Sequence, residues 1–257
     1  MQLKQEAWVE QWSRFKDDSV FLFTEWIYPN RLEDFQGNRV LDAGCGHGHH
    51  TRMVAPYAKE VVGVDLNTSA IARVETQDLP NVRIIEGDIA ILEVSEPFDV
   101  VFCIGVIQHT DDPEGTFANL KSLTRSGGRL IIWCYSFEGN FLNRTLVEGL
   151  KRTLLKPCSA RVLLVLSYLL TFLIYPVVWT VYLLPLRKML PYFDYFGNFR
   201  KLTFKKNVQN VFDKLIAPQT AFLRREEIEK WFDEAFFTDI HISYYKGVSW
   251  RCSGTKR

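Results

Sequence analysis

Between residues 39 and 135, short apolar runs alternate with amphipathic stretches, and this rhythm predicts a parallel α/β sheet with helical crossovers. Arg39–Ala43 reads as a first strand, followed by a helix over 48–58. A strand at 61–65 and a helix at 68–77 repeat the unit, and Val82–Glu86 is a third strand. Phe98–Ile104 is a fourth. The next helix opens at Asp112-Pro113-Glu114, combining an N-cap acid, a proline at the first helical position and an acid in the first turn. Gly127-Gly128 then turns the chain into a fifth strand over 129–135. The pattern resumes near the C-terminus with an amphipathic helix at 224–234, a strand at 238–244, a turn at Lys246-Gly247 and a last strand at 248–252. Near the start, Trp8, Trp12 and Phe15 form an i, i+4, i+7 stripe, expected to be a helix that packs on the core and covers the crevice.

Residues 140–205 break the rhythm. They are rich in Leu, Val, Phe and Tyr, and 162–186 carry no charge. That run is long enough to suggest a transmembrane helix, which needs about 20 apolar residues. A single crossing is excluded by topology, because the strands at 238–252 must join the same sheet as those at 39–135. Pro176 is expected to divide the run into pieces of about 14 and 10 residues, roughly 21 and 15 Å long, short of the ~30 Å hydrocarbon core. A kinked or paired helical element follows. Lys151, Arg152, Lys156 and Arg161 precede it, and Arg187, Lys188, Arg200, Lys201, Lys205 and Lys206 follow. Basic shoulders suit anionic headgroups, so peripheral contact with an anionic membrane surface is expected through about 150–190, with a substrate cap or a subunit interface as alternatives.

Composition narrows the class. The 257 residues are 47% hydrophobic and 24% charged, ordinary for a globular chain with one large core. Lys+Arg 31 against Asp+Glu 30 leaves a formal charge of +1, so no global field draws the protein to nucleic acid, and none is expected as a partner. The five cysteines are scattered without a Cys-x-x-Cys pair, and Met1-Gln2-Leu3-Lys4 opens no apolar signal region, which together predict a cytoplasmic protein. Oligomeric state stays open.

The chemistry starts where the first strand ends, in Asp42-Ala43-Gly44-Cys45-Gly46-His47-Gly48. Glycines at this spacing let a strand turn sharply into a helix and let the backbone approach a ligand closely. The dinucleotide form G-x-G-x-x-G would place its third glycine at position 49, which is His49. Glycine at 48 gives the tighter form associated with a cofactor that has no pyrophosphate to seat. Asp65 closes the second strand, where an acid can accept both ribose hydroxyls. Gly87-Asp88-Ile89 follows the third, where an acid can take an adenine amino group and an apolar side chain can cover the ring. Three signals at the carboxyl ends of successive strands converge on one crevice.

With these residues in view, the sequence resembles the class I methyltransferase family over 39–135: residues 40–48 are similar to its first motif, 62–66 to the second and 98–112 to the fourth with its flank. Within that family it resembles a bacterial, UbiE-like subgroup of the type 11 methyltransferases. Members carry segments similar to Ile107-Gln108-His109-Thr110-Asp111-Asp112-Pro113 and Ile132-Trp133-Cys134-Tyr135, a block similar to Val211-Phe212-Asp213 with Ala217-Pro218, and a final Ser249-Trp250-Arg251. Gln108 departs from the pattern, since relatives show a second His there. The resemblance implies a Rossmann-like, seven-stranded, mostly parallel sheet with helices on both faces, and S-adenosylmethionine as methyl donor. It does not name the acceptor.

The expected arrangement is one methyltransferase domain over 1–257, its core about 1–136 and 211–257, with an apolar helical insertion at about 137–210 after strand five. Asp42, Gly44, Cys45, Gly46, His47, Gly48, Asp65, Leu66, Asp88, Ile89 and Ile104 are expected around the cofactor. His109 follows strand four at the mouth of the crevice and is the candidate base, the alternative being a loop-orienting role. Tyr135 at the end of strand five is a second candidate, with packing as its alternative. Asp213, Pro218 and Arg251 shape the acceptor site by the resemblance alone. His47, His49 and His50 diverge around a helix start without further ligands, so no metal is expected. The acceptor is expected to be small, and lipid-linked or membrane-associated. A methyltransferase of a sugar or polar metabolite with the insertion as cap, and a catalytically idle cofactor scaffold, are the rival readings.

Overall fold

A computed structural model describes residues 20–187 and 189–257. Trp8, Trp12, Phe15 and Lys188 lie outside the described residues. Seven strands form one sheet in the order β3-β2-β1-β4-β5-β7-β6. They are β1 (Arg39–Ala43), β2 (Glu60–Asp65), β3 (Val82–Glu86), β4 (Phe98–Ile104), β5 (Thr124–Tyr135), β6 (Phe237–Tyr245) and β7 (Ser249–Lys256). The first five are parallel; β7 runs antiparallel to both β5 and β6. This is the expected Rossmann-like architecture.

The apolar runs are continuous because both faces of the parallel sheet are covered. Along β5, Leu130, Ile132 and Cys134 face one core while Ile131 and Trp133 face the other. The first core is closed by α4 (Pro113–Leu123) through Phe117, Leu120 and Leu123, and by α8 (Arg225–Trp231) through Ile228 and Trp231. The second is closed by α1 (Val20–Ile27) through Phe23 and Ile27, and by α2 (His49–Val54) through Val54. A fully buried side chain of this kind stabilises by roughly 1.5–3 kcal/mol, so each layer is held by many such contributions. Asp112 caps α4, accepting from the Gly115 N–H at 3.0 Å, with Pro113 in the first turn. Helix α3 (Ser69–Glu75) joins β2 to β3.

The insertion contains α5 (Ala160–Val178), α6 (Phe193–Phe199) and α7 (Phe204–Ile216). Helix α5 packs on α7, and Leu163, Val208, Phe212 and Ile216 make a small core of their own. Pro176 does not divide α5. It sits in the last turn, where its missing N–H costs a single hydrogen bond and the helix ends at Trp179. The helix is therefore 19 residues long, about 28 Å at ~1.5 Å per residue, and meets the length and composition of a membrane span. Its flanks still return to one sheet, so it does not cross. Its faces are inverted relative to an ordinary surface helix: Leu163, Ser167, Thr171 and Val178 point inward while Val165, Leu169, Phe172 and Leu173 point out. The buried hydroxyls are satisfied within the helix, Ser167 donating to the Leu163 carbonyl and Thr171 to that of Ser167, both at 2.7 Å.

Candidate active site

The glycine loop lies at the carboxyl end of β1, and its glycines hold conformations that other residues avoid. Gly44, Gly46 and Gly48 have φ of 84°, 58° and 86°. A Cβ on Gly44 would lie 2.5 Å from both Val106 methyls, and one on Gly48 would lie 2.9 Å from the Thr76 methyl. The loop is pinned from two sides. Gly44 and Cys45 N–H donate to the Val64 carbonyl at 2.8 and 3.0 Å. Asp65 accepts from Gly46 N–H at 3.0 Å, and from Asn67 and Thr68 N–H at 2.9 and 2.8 Å, while the Thr68 hydroxyl donates to the Gly46 carbonyl at 2.6 Å. Asp65 thus knits the loops after β1 and β2 together, a role its position in the sequence did not reveal.

These loops line a crevice of about 420 Å³, walled by Gly44, Cys45, Gly46, His47, Asp65, Leu66, Asp88, Ile89 and Ile104 among others. Asp42 and Gly48 are set behind the wall. Asp42 is buried and accepts from the Thr51 hydroxyl at 2.6 Å. Burial, with the Asp65 charge adding to it, pushes its carboxyl up to about 7, partly offset by the Thr51 hydrogen bond. It positions the loop from beneath. The acid positions, the glycine cradle that a Cβ would fill, and the buried apolar cover of Ile89 all fit an adenosyl cofactor.

A second cavity, of about 300 Å³, opens beside the first. Trp26, Trp133, Tyr135, His109, Asn210 and Asp213 line both. The junction is aromatic: Trp26 and Trp133 lie 4.8 Å apart, Trp133 and Tyr135 5.5 Å, and His109 and Tyr135 6.0 Å edge-on. Burial raises the Tyr135 phenol well above its usual pKa, and the Asp213 carboxylate, to which the hydroxyl donates at 3.0 Å, raises it further. The Nδ1 of His109 is 2.8 Å from the Gln219 carbonyl, which can only accept, so Nδ1 carries the proton and Nε2 is the basic nitrogen. Burial lowers the His109 pKa below its usual value, against the opposing pull of Asp213 and the Gln219 carbonyl. Gln219 also donates to the His109 carbonyl and to Asp111, at 3.1 and 2.7 Å, fixing the segment.

Pro218 lines the crevice, whereas Arg251 lies over the rings of Tyr28 and Tyr245 and is on neither wall. Gln108 is fully buried, and its side-chain amide has no hydrogen-bond partner among the described residues. His47 and His49 are stacked at 5.7 Å, and no group of three metal-ligating side chains occurs among the described residues. Trp26, Tyr192, Tyr195, Asn210 and Lys214 went unnoticed in the sequence. Only Trp133 carried a signal, its i, i+2 relation to Tyr135 on β5.

A crevice of this kind at the carboxyl ends of β1–β4, in a sheet with a reversed β7, defines a class I methyltransferase fold. Residues 41–132 match the family described as Methyltransferase domain. The chain carries an S-adenosylmethionine-dependent methyltransferase domain of this class, and S-adenosylmethionine is its cofactor. The fold is shared with 1,6-didemethyltoxoflavin-N1-methyltransferase of Burkholderia thailandensis at a TM-score of 0.55 and 13% identity, over 99% of this chain and 88% of that one. Magnesium protoporphyrin IX methyltransferase of Synechocystis PCC 6803 gives 0.54 and 14%, over 98% and 94%. Both were crystallised with S-adenosylhomocysteine. In sequence, the chain is 33% identical to tRNA U34 carboxymethyltransferase of Idiomarina loihiensis over 137 residues, 47% of this chain and 42% of that protein. The same enzyme of Methylococcus capsulatus gives 33% over 148 residues, 51% and 44%. The chain spans less than half the length of these curated relatives.

These relatives overturn the expected partners. They are named for a tRNA substrate, against both the exclusion of nucleic acid and a small or lipid-linked acceptor. Net charge describes only the far field of a protein, whereas bases are read by stacking and local donors, which a balanced chain can still supply. The anionic membrane contact expected of about 150–190 gains no support from these findings. In the fold, this stretch supplies Leu170 and Ile174 to the wall of the second cavity.

Proposed function

We propose that the protein methylates a nucleobase of an RNA, the base being seated in the aromatic cavity beside His109. The observation that carries this reading is the junction of the two cavities, where Trp26, Trp133 and Tyr135 offer ring faces next to one basic nitrogen. A flipped-out or single-stranded base is held by such faces, with stacking worth about 1–3 kcal/mol per base. The tRNA-acting relatives support the same class of acceptor.

When bound, S-adenosylmethionine supplies an activated methyl group for in-line displacement. The chain's own work is alignment, exclusion of water and disposal of one proton. Asp65 and Asp88 are the acids that would hold the ribose and adenine, Ile89 and Leu66 the apolar cover, and Cys45 to His47 the methionine side. Nε2 of His109 would take the proton from a base N–H or O–H as the methyl arrives. Tyr135, fixed by Asp213, would orient the ring. The insertion is then a cap over the acceptor. We place the protein in the cytoplasm, which accords with five cysteines that are all unpaired.

The test is incubation with methyl-tritiated S-adenosylmethionine and total bacterial RNA, followed by nucleoside analysis. Tritium in a single nucleoside is the expected result. Formation of S-adenosylhomocysteine with only the small-molecule fraction of a cell extract would overturn the reading. No S-adenosylhomocysteine from either fraction would favour the idle scaffold.

A further inference from the structure

The second cavity has a largely apolar surface into which a lysine and two tyrosine hydroxyls are set together. Lys214, near the end of α7, lines it together with Tyr195, Tyr192 and Asn143. The Lys214 ammonium donates to the Tyr195 hydroxyl at 3.2 Å and to the Asn210 carbonyl at 3.3 Å, two neutral acceptors for three N–H bonds. No carboxylate lies within ion-pair distance of it among the described residues. The two acids on this wall are engaged elsewhere, Asp213 with Tyr135 at 3.0 Å and Glu148 with Lys151 at 2.6 Å. Burial opposes the charge on Lys214, yet the adjoining Tyr195 and Asp213 outweigh it and hold the pKa above its usual value. The group is therefore an ammonium at neutral pH, half-buried and without a direct counter-ion. Tyr192 sits at φ 56°, a region other residues seldom adopt, and its hydroxyl accepts from the Asn143 N–H at 3.4 Å. The chain accepts an unfavourable backbone conformation where it delivers this hydroxyl to the cavity.

A half-buried cation on a largely apolar cavity surface is stabilised by an anion that brings hydrogen-bond acceptors with it. We propose that Lys214, with the hydroxyls of Tyr195 and Tyr192, is an oxyanion-binding site that holds a carboxylate or phosphate of the acceptor while its ring occupies the aromatic junction. The proposal rests on the reading of this cavity as the acceptor site, but it requires no particular ring. Lys214 is then a specificity residue, selecting charged acceptors over neutral ones of the same shape.

The experiment uses the full chain saturated with S-adenosylhomocysteine and labelled with 15N at lysine side chains. The Lys214 ammonium signal is identified by its loss in Lys214→Met, and unchanged S-adenosylhomocysteine affinity shows that this variant is folded. Benzoate, benzamide and inorganic phosphate are titrated in turn. A saturable shift with benzoate but not benzamide assigns the site to carboxylates, and one with phosphate alone assigns it to phosphates. In either case Lys214→Met should weaken the responsive anion by about tenfold or more, the equivalent of one charge-assisted hydrogen bond, and Lys214→Arg should retain most of the affinity. If neither anion moves the signal, or the anion binds Lys214→Met as well as wild type, the site does not exist. Because no RNA is present, failure of the RNA reading leaves this result standing, and the reverse also holds.

Discussion

His109 and Asp42 show how burial sets chemistry one residue at a time. His109 is half-buried, its Nδ1 proton committed to the Gln219 carbonyl and its pKa lowered chiefly by desolvation. A base must be neutral to act, so activity should persist as pH falls and be lost only below the usual histidine range. In His109→Ala, kcat should drop by about 10²–10⁴ and the acid limb of the pH profile should disappear, while affinity for S-adenosylhomocysteine is kept. A variant that loses only cofactor affinity would make His109 a loop-orienting residue instead. Asp42 illustrates the opposite sign. Its folded carboxyl titrates at about 7, above the unfolded value near 4, so the fold favours the protonated form. The stability that Asp42 contributes should therefore be fully present below about pH 4, fall as pH rises through the window between about 4 and 7, then level off. Asp42→Asn removes this titration, so in urea melts at pH 5, 6, 7 and 8 the fall in stability with rising pH that Asp42 causes should be absent. At pH 8 the variant should be the more stable by a few kcal/mol, since each tenfold change in proton affinity on folding is worth about 1.4 kcal/mol.

At the scale of elements, the loop after β1 is where sequence and backbone agree most closely. Gly44 meets two separate constraints, a left-handed φ of 84° and a 2.5 Å approach to Val106. Gly44→Ala should lower Tm and weaken S-adenosylmethionine binding at least tenfold, with the left-handed strain alone costing roughly 1–2 kcal/mol. Adding Val106→Ala removes the two closest contacts but leaves the one at its Cβ, 2.9 Å, and the backbone strain, so calorimetry on the double variant should recover part of the affinity and not all. Strands β1 and β4 were legible for a related reason: a parallel strand covered on both faces is apolar along most of its length, and Gly44, Pro97 and Gly105 stand at their ends, whereas β5 begins at Thr124 and carries Gly127 and Gly128 inside it. The cofactor residues were legible because Asp42 to Gly48, Asp65 and Asp88 are each local to one strand end. The group around Lys214 was not. Lys214 and His109 are brought to one cavity only when α7 folds back over β5, and no local pattern announces that distance. Helix α5 was legible in composition and not in orientation. An uncharged run looks alike on every side, and its inner stripe is set by Ser167 and Thr171, hydroxyls that need no outside partner.

At the scale of the whole molecule, α5 joins two surfaces with different duties. Leu169, Phe172 and Leu173 are 56%, 67% and 65% exposed, an apolar patch of the kind that a soluble fold ordinarily keeps small. Leu170, one residue from Leu169, points the other way and lines the second cavity. Because the outer three side chains bury little, replacing each by Lys should change the stability of the fold by no more than about 0.5 kcal/mol. It should, however, change how the protein behaves when concentrated. Light scattering is expected to show wild-type particles growing with concentration, and the triple Lys variant staying monodisperse with unaltered S-adenosylhomocysteine affinity. Leu170→Lys is the contrasting case. A second ammonium placed in the wall of the cavity that Lys214 lines repels that group and competes with it for an anion. That variant should lose benzoate or phosphate binding at Lys214 and lower Tm by several degrees, while the cofactor crevice on the far side of Tyr135 keeps its affinity. If instead the triple variant unfolds and Leu170→Lys is silent, the faces of α5 are assigned the wrong way round, and the insertion is not a cap over the acceptor.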